Sequence, residues 1–379
     1  MNNPFEIETH KSKYEVIYDD LKKKIQHNEI NAGEKLPTEK ELLEHYNVSR
    51  ITTKKALDML AGDGMIERIP GKGTFVKAKN ASHEYSERSK SLMVGYISPD
   101  FDDDHGLELL SKLEEFANER SVNIVVKRTY GSLEREKTAI ISLINQGIDG
   151  LIILPVSGEY YNEEIVKLNL QNFPHVLVDR YLKGFATTSI RTDNKTVTKN
   201  AVEYLFELNH EKIALCTPPY KDTSAIEDRV EGFIQAYAER GILVDKNSWI
   251  TNLESTLSFP TSSAALVEKD IDRIIQHLKT HPEITAVFAM EYKIAVLVNE
   301  AAKRMNDNVP EDLSIICFDT PKYYLGRNVF THIKQNTDEM AENAINSIIA
   351  LVNEQEHPIK TSFEAELIDR GTVMDRNDI

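Results

Sequence analysis

Three short stretches carry side chains whose types and spacing could do chemistry. Arg50, Ile51 and Lys54 fall within about one helical turn. A guanidinium can read a guanine with two hydrogen bonds, and an exposed Ile can touch a thymine methyl group. Taken alone, the same residues also suit an ordinary solvated helix face. Gly71-Lys72-Gly73-Thr74 superficially looks like a phosphate loop, but that loop needs a glycine five residues before Gly71, and position 66 is Ile. Nucleotide binding there is excluded. Asp102-Asp103-Asp104-His105 has metal-ligand residue types, yet it reads more simply as a solvated loop after a strand. No Gly-x-Gly-x-x-Gly follows a strand, and no nucleophile elbow, His-Glu-x-x-His or Cys-x-x-Cys occurs. His210 and His332 read as surface or helix-end residues rather than catalytic bases. These stretches suit recognition better than turnover, with no cofactor and no metal expected.

Local signals say how the first two stretches are held. Tyr14, Ile17, Tyr18, Leu21 and Ile25 recur at helical spacing. After a turn at Gly33, Thr38 followed by Glu41 makes a capping box, the Thr accepting from a free amide and the Glu reaching back. Leu42 and Leu43 fill that second helix, which ends near Tyr46-Asn47. Ser49 caps a third helix almost at once, so the pair is a helix-turn-helix. Thr53, Ala56, Leu57 and Leu60 then face inward, which leaves Arg50, Ile51 and Lys54 outward at the end a recognition helix presents to a major groove. Met65–Ile69 alternates as a strand, Pro70–Gly73 turns and Thr74–Val76 returns, a hairpin wing whose glycines allow close backbone approach.

Composition bounds the remainder. At ~150 residues per domain, the 379 residues predict two or three domains. The chain is 41% hydrophobic and 28% charged, enough to bury a core and unlike a disordered chain. No apolar run approaches the ~20 residues of a membrane span, and the first residues lack the apolar stretch of a secretory signal. A cytoplasmic location without membrane attachment is expected. Cys216 and Cys317 each sit in a β-branched run and read as buried, reduced thiols. Residues 1–80 contain 14 Lys+Arg and 13 Asp+Glu, whereas the rest contain 31 and 48. So acidic a chain is a poor general polyanion binder, and any nucleic-acid contact must lie in the near-neutral N-terminal segment. Residues 78–91 lack aliphatic periodicity and are rich in Ser, Lys, Glu and Asn, which reads as a solvated linker. The expected organisation is a domain over 1–77, a linker over 78–91 and a larger domain over 92–379.

From Leu92 onward strand and helix patterns alternate. Met93–Ser98, Asn123–Lys127, Gly150–Leu154, Pro174–Asp179, Lys212–Thr217, Ala286–Met290 and Leu313–Asp319 are short apolar runs. Helical patterns over Gly106–Glu119, Asn200–Leu208, Ile226–Arg240 and Ile294–Met305 lie between them. The fold class is α/β, doubly wound, with ligands expected beyond the carboxyl ends of the strands.

The N-terminal segment resembles the winged helix-turn-helix of GntR-type bacterial transcription regulators. The resemblance rests on Leu36-Pro-Thr-Glu39, Val48-Ser-Arg50, Lys54-Lys-Ala-Leu57 and Gly71-Lys-Gly-Thr-Phe-Val76. It implies DNA contacts from Lys13, Tyr14, Thr38, Glu39, Arg50, Thr52, Lys54 and the wing residues Gly71, Lys72 and Gly73. Ile51 joins them through its outward position. Position 54 is commonly Arg in that family and is Lys here, which removes the forked two-bond contact.

The larger domain resembles the LacI/GalR effector domain, a relative of type I periplasmic sugar-binding proteins. Ile148-Asp-Gly-Leu-Ile-Ile153, Val178-Asp-Arg180, Thr192-Asp-Asn194, Leu208-Asn-His-Glu-Lys-Ile213, Arg229-Val-Glu-Gly-Phe233, Val309-Pro-Glu-Asp-Leu-Ser314 and Cys317-Phe-Asp319 carry the match. The resemblance implies two lobes joined by three crossovers near residues 186, 320–335 and 357, with an effector in the cleft. By the same resemblance to ribose-type members, Asp179, Arg180, Arg229, Glu291, Asp319 and Gln335 fall on ligand-contacting positions. Glu291 is a departure, since Asn or Asp is usual there. Sugar hydroxyls donate to carboxylates and accept from guanidiniums, and Phe101 could cover an apolar ring face. Buried ion pairs, Asp179–Arg180 and Arg229–Asp319, are the structural alternative. Three carboxylates against two guanidiniums disfavour an anionic effector.

Together the resemblances fit a GntR-type reader fused to a sugar sensor, as in arabinose-responsive repressors. They imply a homodimeric repressor that binds double-stranded operator DNA and answers to a small neutral pentose or hexose. The hinge helix of ordinary LacI-type proteins is not apparent in residues 78–91. Two other readings stay open: an enzyme with a targeting module, and a small-molecule binding protein whose helix-turn-helix makes protein contacts.

Overall fold

The computed structural model describes residues 12–27, 29–70, 72–77, 91–101, 105–156, 162–219, 223–257, 263–321 and 329–378. The chain falls into two compact units, Met1–Lys90 and Ser91–Ile379. Among the described residues no helix is long and apolar enough to cross a membrane.

The first unit contains α1 (Lys13–Gln26), α2 (Glu39–Tyr46), α3 (Arg50–Gly62), β1 (Ile66–Ile69) and β2 (Gly73–Val76). Each helix starts where a polar side chain can satisfy its open amides. The Glu15 carboxylate accepts from the Ser12 amide at 2.8 Å, Thr38 and Glu41 cap α2 reciprocally, and Ser49 Oγ accepts from the Thr52 amide at 3.3 Å. Ile17 and Leu21 of α1, Leu42 of α2 and Ala56, Leu57 and Leu60 of α3 share one core with Ile66 and Val76. The antiparallel hairpin pairs Ile66 with Val76 and Ile69 with Gly73. Residues 33–36 lace onto it, with the Leu36 amide donating to the Thr74 carbonyl at 2.9 Å. This is the winged helix-turn-helix expected from the sequence.

The second unit is two-lobed. Its first lobe begins with β3 (Leu92–Ser98), α4 (Gly106–Glu119), β4 (Val122–Arg128), α5 (Leu133–Asn145), β5 (Gly150–Ile153), α6 (Glu163–Leu170), β6 (His175–Val178) and β7 (Ser189–Thr192). The second lobe follows with α7 (Asn194–Glu207), β8 (Ile213–Cys216), α8 (Ser224–Glu239), α9 (Ala264–Thr280), β9 (Ala286–Ala289), α10 (Tyr292–Met305), β10 (Ser314–Phe318) and β11 (Thr331–Lys334). The chain then returns to the first lobe for α11 (Thr337–Val352) and β12 (Lys360–Phe363), and ends in the second with β13 (Glu366–Ile368). The sheets run β12-β7-β6-β5-β3-β4 and β13-β11-β10-β9-β8, all parallel except for β13 against β11. Helices cover both faces of each sheet, which is why strands β5, β6, β8, β9 and β10 are buried along their whole length.

Two of the expected crossovers move. The first lies after β7, at 193, rather than near 186, and the last lies at 364–365 rather than near 357. In both places one more strand, β7 or β12, pairs in the first lobe before the chain leaves it. The second crossover, at 335–336 between β11 and α11, falls at the end of the expected span.

The surface reading of His210 and His332 is corrected as well, although His210 does stand just past the end of α7. Neither is at the surface: they are 0% and 1% exposed. His210 bonds the Thr285 hydroxyl and the Met374 carbonyl, each at 2.9 Å, and His332 bonds the Phe330 carbonyl at 2.8 Å. Internal partners hold both rings, and burial lowers both pKa values. Cys216 and Cys317 are buried and free. They pair with Ala289 from opposite sides, so β9 holds them ~10 Å apart, beyond disulfide reach.

Candidate functional site

In the first unit the expected DNA-contacting residues gather at the starts of the three helices and on the hairpin. Arg50 opens α3 with its side chain 83% exposed, and its Nε lies 3.6 Å from the Glu39 carboxylate. So exposed a pair is weak and leaves the guanidinium available. Ile51 is 81% exposed, an unusual cost for an aliphatic side chain with no structural return. Lys54 is exposed one turn on, while Thr52 is half-buried against the Ser49 hydroxyl. Thr38 caps α2 and Lys13 opens α1, both exposed. Tyr14 is half-buried with the Lys55 ammonium 3.7 Å from its ring centroid. Lys72 is exposed, and Gly73 takes φ 124°, a backbone conformation that favours glycine. Gly71 lies outside the described residues.

In the second unit, six of the seven expected effector residues line one cavity of about 150 Å³: Asp179, Arg180, Arg229, Glu291, Asp319 and Gln335. Parallel topology explains the convergence, because strand carboxyl ends of both lobes open on the same cleft. The two lobes present matching features. Asp179 directly follows β6 and Asp319 directly follows β10. Both take left-handed backbone, φ 63° and 61°, and both amides donate to the neighbouring strand, to Ile190 and Ile333. The same backbone turn at equivalent strand ends sets the two carboxylates alike at the cleft.

Arg229 enters from α8. Its Nε donates to Asn194 Oδ1 at 2.9 Å and its Nη1 to the Met290 carbonyl at 2.7 Å. The guanidinium lies 3.6 Å from the Phe318 ring centroid. Burial lowers its pKa, and the carboxylates of Asp319, Asp179 and Glu291 oppose that shift. Gly232 explains the close seat of α8, because a Cβ there would run into the Lys195 carbonyl oxygen. Arg180 donates to the Pro155 and Val156 carbonyls, both at 3.1 Å, with its Nε 3.7 Å from Asp179. Buried Glu136 holds the same loop, accepting from the Val156 amide and Asn162 Nδ2 at 2.8 Å. Burial raises the Glu136 pKa. Gln335 donates to both carboxylate oxygens of Asp319 at 3.1 and 3.0 Å and accepts from the Thr192 hydroxyl at 2.6 Å.

The site differs from expectation in three ways. Phe101 does not line the cavity: its half-buried ring sits 6.2 Å from that of Tyr96, against the first lobe's apolar core. The segment after β3 turns it toward the sheet face. His105, expected in a solvated loop, instead lines the cavity, with Nε2 3.8 Å from Asp179 Oδ1. Asp102, Asp103 and Asp104 lie outside the described residues, among which no metal-binding cluster occurs. Lys293 and Asp100 also line the cavity, so four carboxylates face three cations, the same excess of one carboxylate that the sequence suggested. Asp100 is engaged by Arg128. Thr256 and Ser98 complete the polar lining. No local signal in the sequence points to Asp100, His105, Thr256 or Lys293 as cavity residues.

Comparison with known proteins bears directly on this arrangement. The family description "Bacterial regulatory proteins, gntR family" matches residues 13–76, and "Periplasmic binding protein-like domain" matches residues 202–373. The chain therefore joins a gntR-type helix-turn-helix domain to a periplasmic-binding-like domain. Among its relatives is the arabinose metabolism transcriptional repressor of Halalkalibacterium halodurans, 25% identical over 365 residues and covering 94% of each chain. The ribose operon repressor of the same organism is 26% identical over 290 residues, 75% of this chain and 80% of its own. The solved structure of transcription regulator CcpA of Lactococcus lactis shares the fold, with a TM-score of 0.64 at 17% identity over 75% of this chain and 100% of its own.

Proposed function

We propose that this chain is a cytoplasmic, homodimeric repressor of a carbohydrate-utilisation operon, released from operator DNA by a small neutral pentose or hexose. Residues 1–77 read DNA, 78–91 link, and 92–379 bind the effector and dimerise. The named relatives, an arabinose metabolism repressor and a ribose operon repressor, support the biological role. The observation that carries the effector reading is the twin placement of Asp179 and Asp319 around one cavity with Arg180 and Arg229. Carboxylates that accept and guanidiniums that donate, set around a small space, suit a ring of hydroxyls. Asp179 Oδ1 and Arg180 Nε are buried and make no hydrogen bond among the described residues, so an effector hydroxyl can serve both.

In the reader, Arg50, Ile51 and Lys54 face base edges, while Lys13, Tyr14, Thr38, Glu39, Thr52 and the wing at Gly71, Lys72 and Gly73 hold the backbone. Effector and DNA favour different sensor conformations, a coupling commonly of ~1–3 kcal/mol. A thermal-shift screen of neutral monosaccharides against sugar phosphates tests the effector class, because a ligand of the native state raises Tm. A neutral pentose or hexose is expected to raise it. Stabilisation by sugar phosphates alone would contradict the reading.

A further inference from the structure

The two guanidiniums of the cleft each have a sequence neighbour that reaches across to the opposite lobe. In the first lobe Arg180 lines the cavity and Tyr181 follows it; in the second Arg229 lines the cavity and Asp228 precedes it. The Tyr181 hydroxyl donates to Asp228 Oδ1 at 3.1 Å, and the Tyr181 amide donates to Ser224 Oγ at 3.0 Å. Lys183 and Glu227 form an ion pair beside them. The Arg191 guanidinium lies 3.9 Å from the Tyr181 ring centroid and steadies it from β7.

We propose that Tyr181 and Lys183 form, with the first turn of α8, a latch between the lobes that brings Arg180 and Arg229 to the effector together. This rests on reading the cleft as the effector site. Tyr181, Lys183, Glu227 and Asp228 do not line the cavity, so their contacts do not compete with a ligand. Asp228 and Arg229 are consecutive on one helix and move as one body. Arg180 and Tyr181 are consecutive on the strand-end loop whose backbone Asp179 constrains. Separation of the latch therefore withdraws both guanidiniums at once. The contacts are polar, and the Lys183 side chain is 44% exposed, so water can replace its part of them. A device of that kind opens and closes reversibly, which an apolar seam would not. Burial raises the Asp228 carboxyl, and Tyr181, Arg191 and Lys183 pull it back, in keeping with a carboxylate held by its cross-cleft partners. Gln335 bonds Thr192 and Asp319 at the crossover, so the latch and the hinge bracket the cavity.

The test uses the full chain with spin labels on Glu134→Cys and Lys279→Cys, exposed positions in different lobes; the native thiols are buried. Inter-lobe distances are measured without sugar, and calorimetry follows the binding of L-arabinose and D-ribose. Tyr181→Phe and Lys183→Glu should lengthen the distance and weaken whichever sugar binds by about tenfold, the scale of one hydrogen bond to a charged group. Adding Glu227→Lys to Lys183→Glu should restore both readouts, which a merely structural residue would not do. Unchanged distances in Lys183→Glu, or no recovery in the charge swap, would overturn the latch. If neither sugar binds even the parent chain while the distances respond, the latch stands and the pentose reading fails.

Discussion

The reader and the sensor place functional side chains in opposite environments. Arg50, Ile51 and Lys54 stand exposed on a helix whose other face is a small apolar core. Arg229 and Gln335 are buried, each bonded to groups distant in sequence. Exposure lets the reader meet a large, charged, hydrated partner with little reorganisation, and its affinity comes from many weak contacts. Burial gives the sensor few but strong contacts, because a dry site amplifies charge. A single truncation should therefore matter far more in the cleft than on the recognition helix.

The largest expected effect is that of Arg229→Ala. It leaves Asp319, Asp179 and Glu291 without their buried cation, a loss of ~3–5 kcal/mol when one partner of such a set is removed. Effector response measured by calorimetry should disappear, while DNA binding persists because the reader has its own core. Loss of both together would erase the contrast between the regions.

Smaller effects belong to the reader. Arg50→Ala should cost ~1–3 kcal/mol on the selected DNA site and relax base choice at one position. Lys13→Ala should weaken all sequences alike and reduce the salt dependence by about one counterion. Fluorescence anisotropy on the parent site and single-base variants checks both. An Arg50→Ala variant with unaltered base preference would mean that the outward face of α3 does not read sequence.

The smallest effect is a pH slope confined to the sensor. Burial lowers the pKa of His175, His210 and His332 below the ordinary 6.5. Above that value both folded and unfolded chains hold neutral imidazoles. Below it the unfolded chain takes up protons first, so stability is lost as pH falls from 6.5 toward the folded values. Glu136, raised by burial, acts in the opposite sense: its contribution is full below the ordinary carboxyl value and is lost as pH rises through the folded one. Melting curves between about pH 7.5 and about pH 5.5 should show Tm falling, with a shallower slope in His210→Gln. A slope unchanged by that substitution would remove His210 from the account.

The contrast also explains what was legible in the sequence. The reader's caps, Thr38 with Glu41 and Ser49, are local signals, and its helix faces follow from spacing alone. The cavity's first members could be placed by resemblance and by position after strands. Asp100, His105, Thr256 and Lys293 could not, because only tertiary packing brings their loops to one cleft. Phe101 shows the limit from the other side: an aromatic residue at a strand end can turn into the core. The burial of His210 and His332 is not legible in the sequence, because it depends on acceptors such as the Met374 carbonyl, far away in sequence. The crossovers moved for a related reason, since β7 and β12 are short edge strands whose pairing no local pattern announces.

The central claim is that the cleft controls the reader. The direct measurement selects a site from a random duplex pool with the full chain, then titrates it by anisotropy at fixed salt with and without the sugar that raises Tm. The account predicts a roughly palindromic site whose affinity falls about 5–150-fold when the sugar is present. An affinity unmoved by a sugar that demonstrably binds would contradict it.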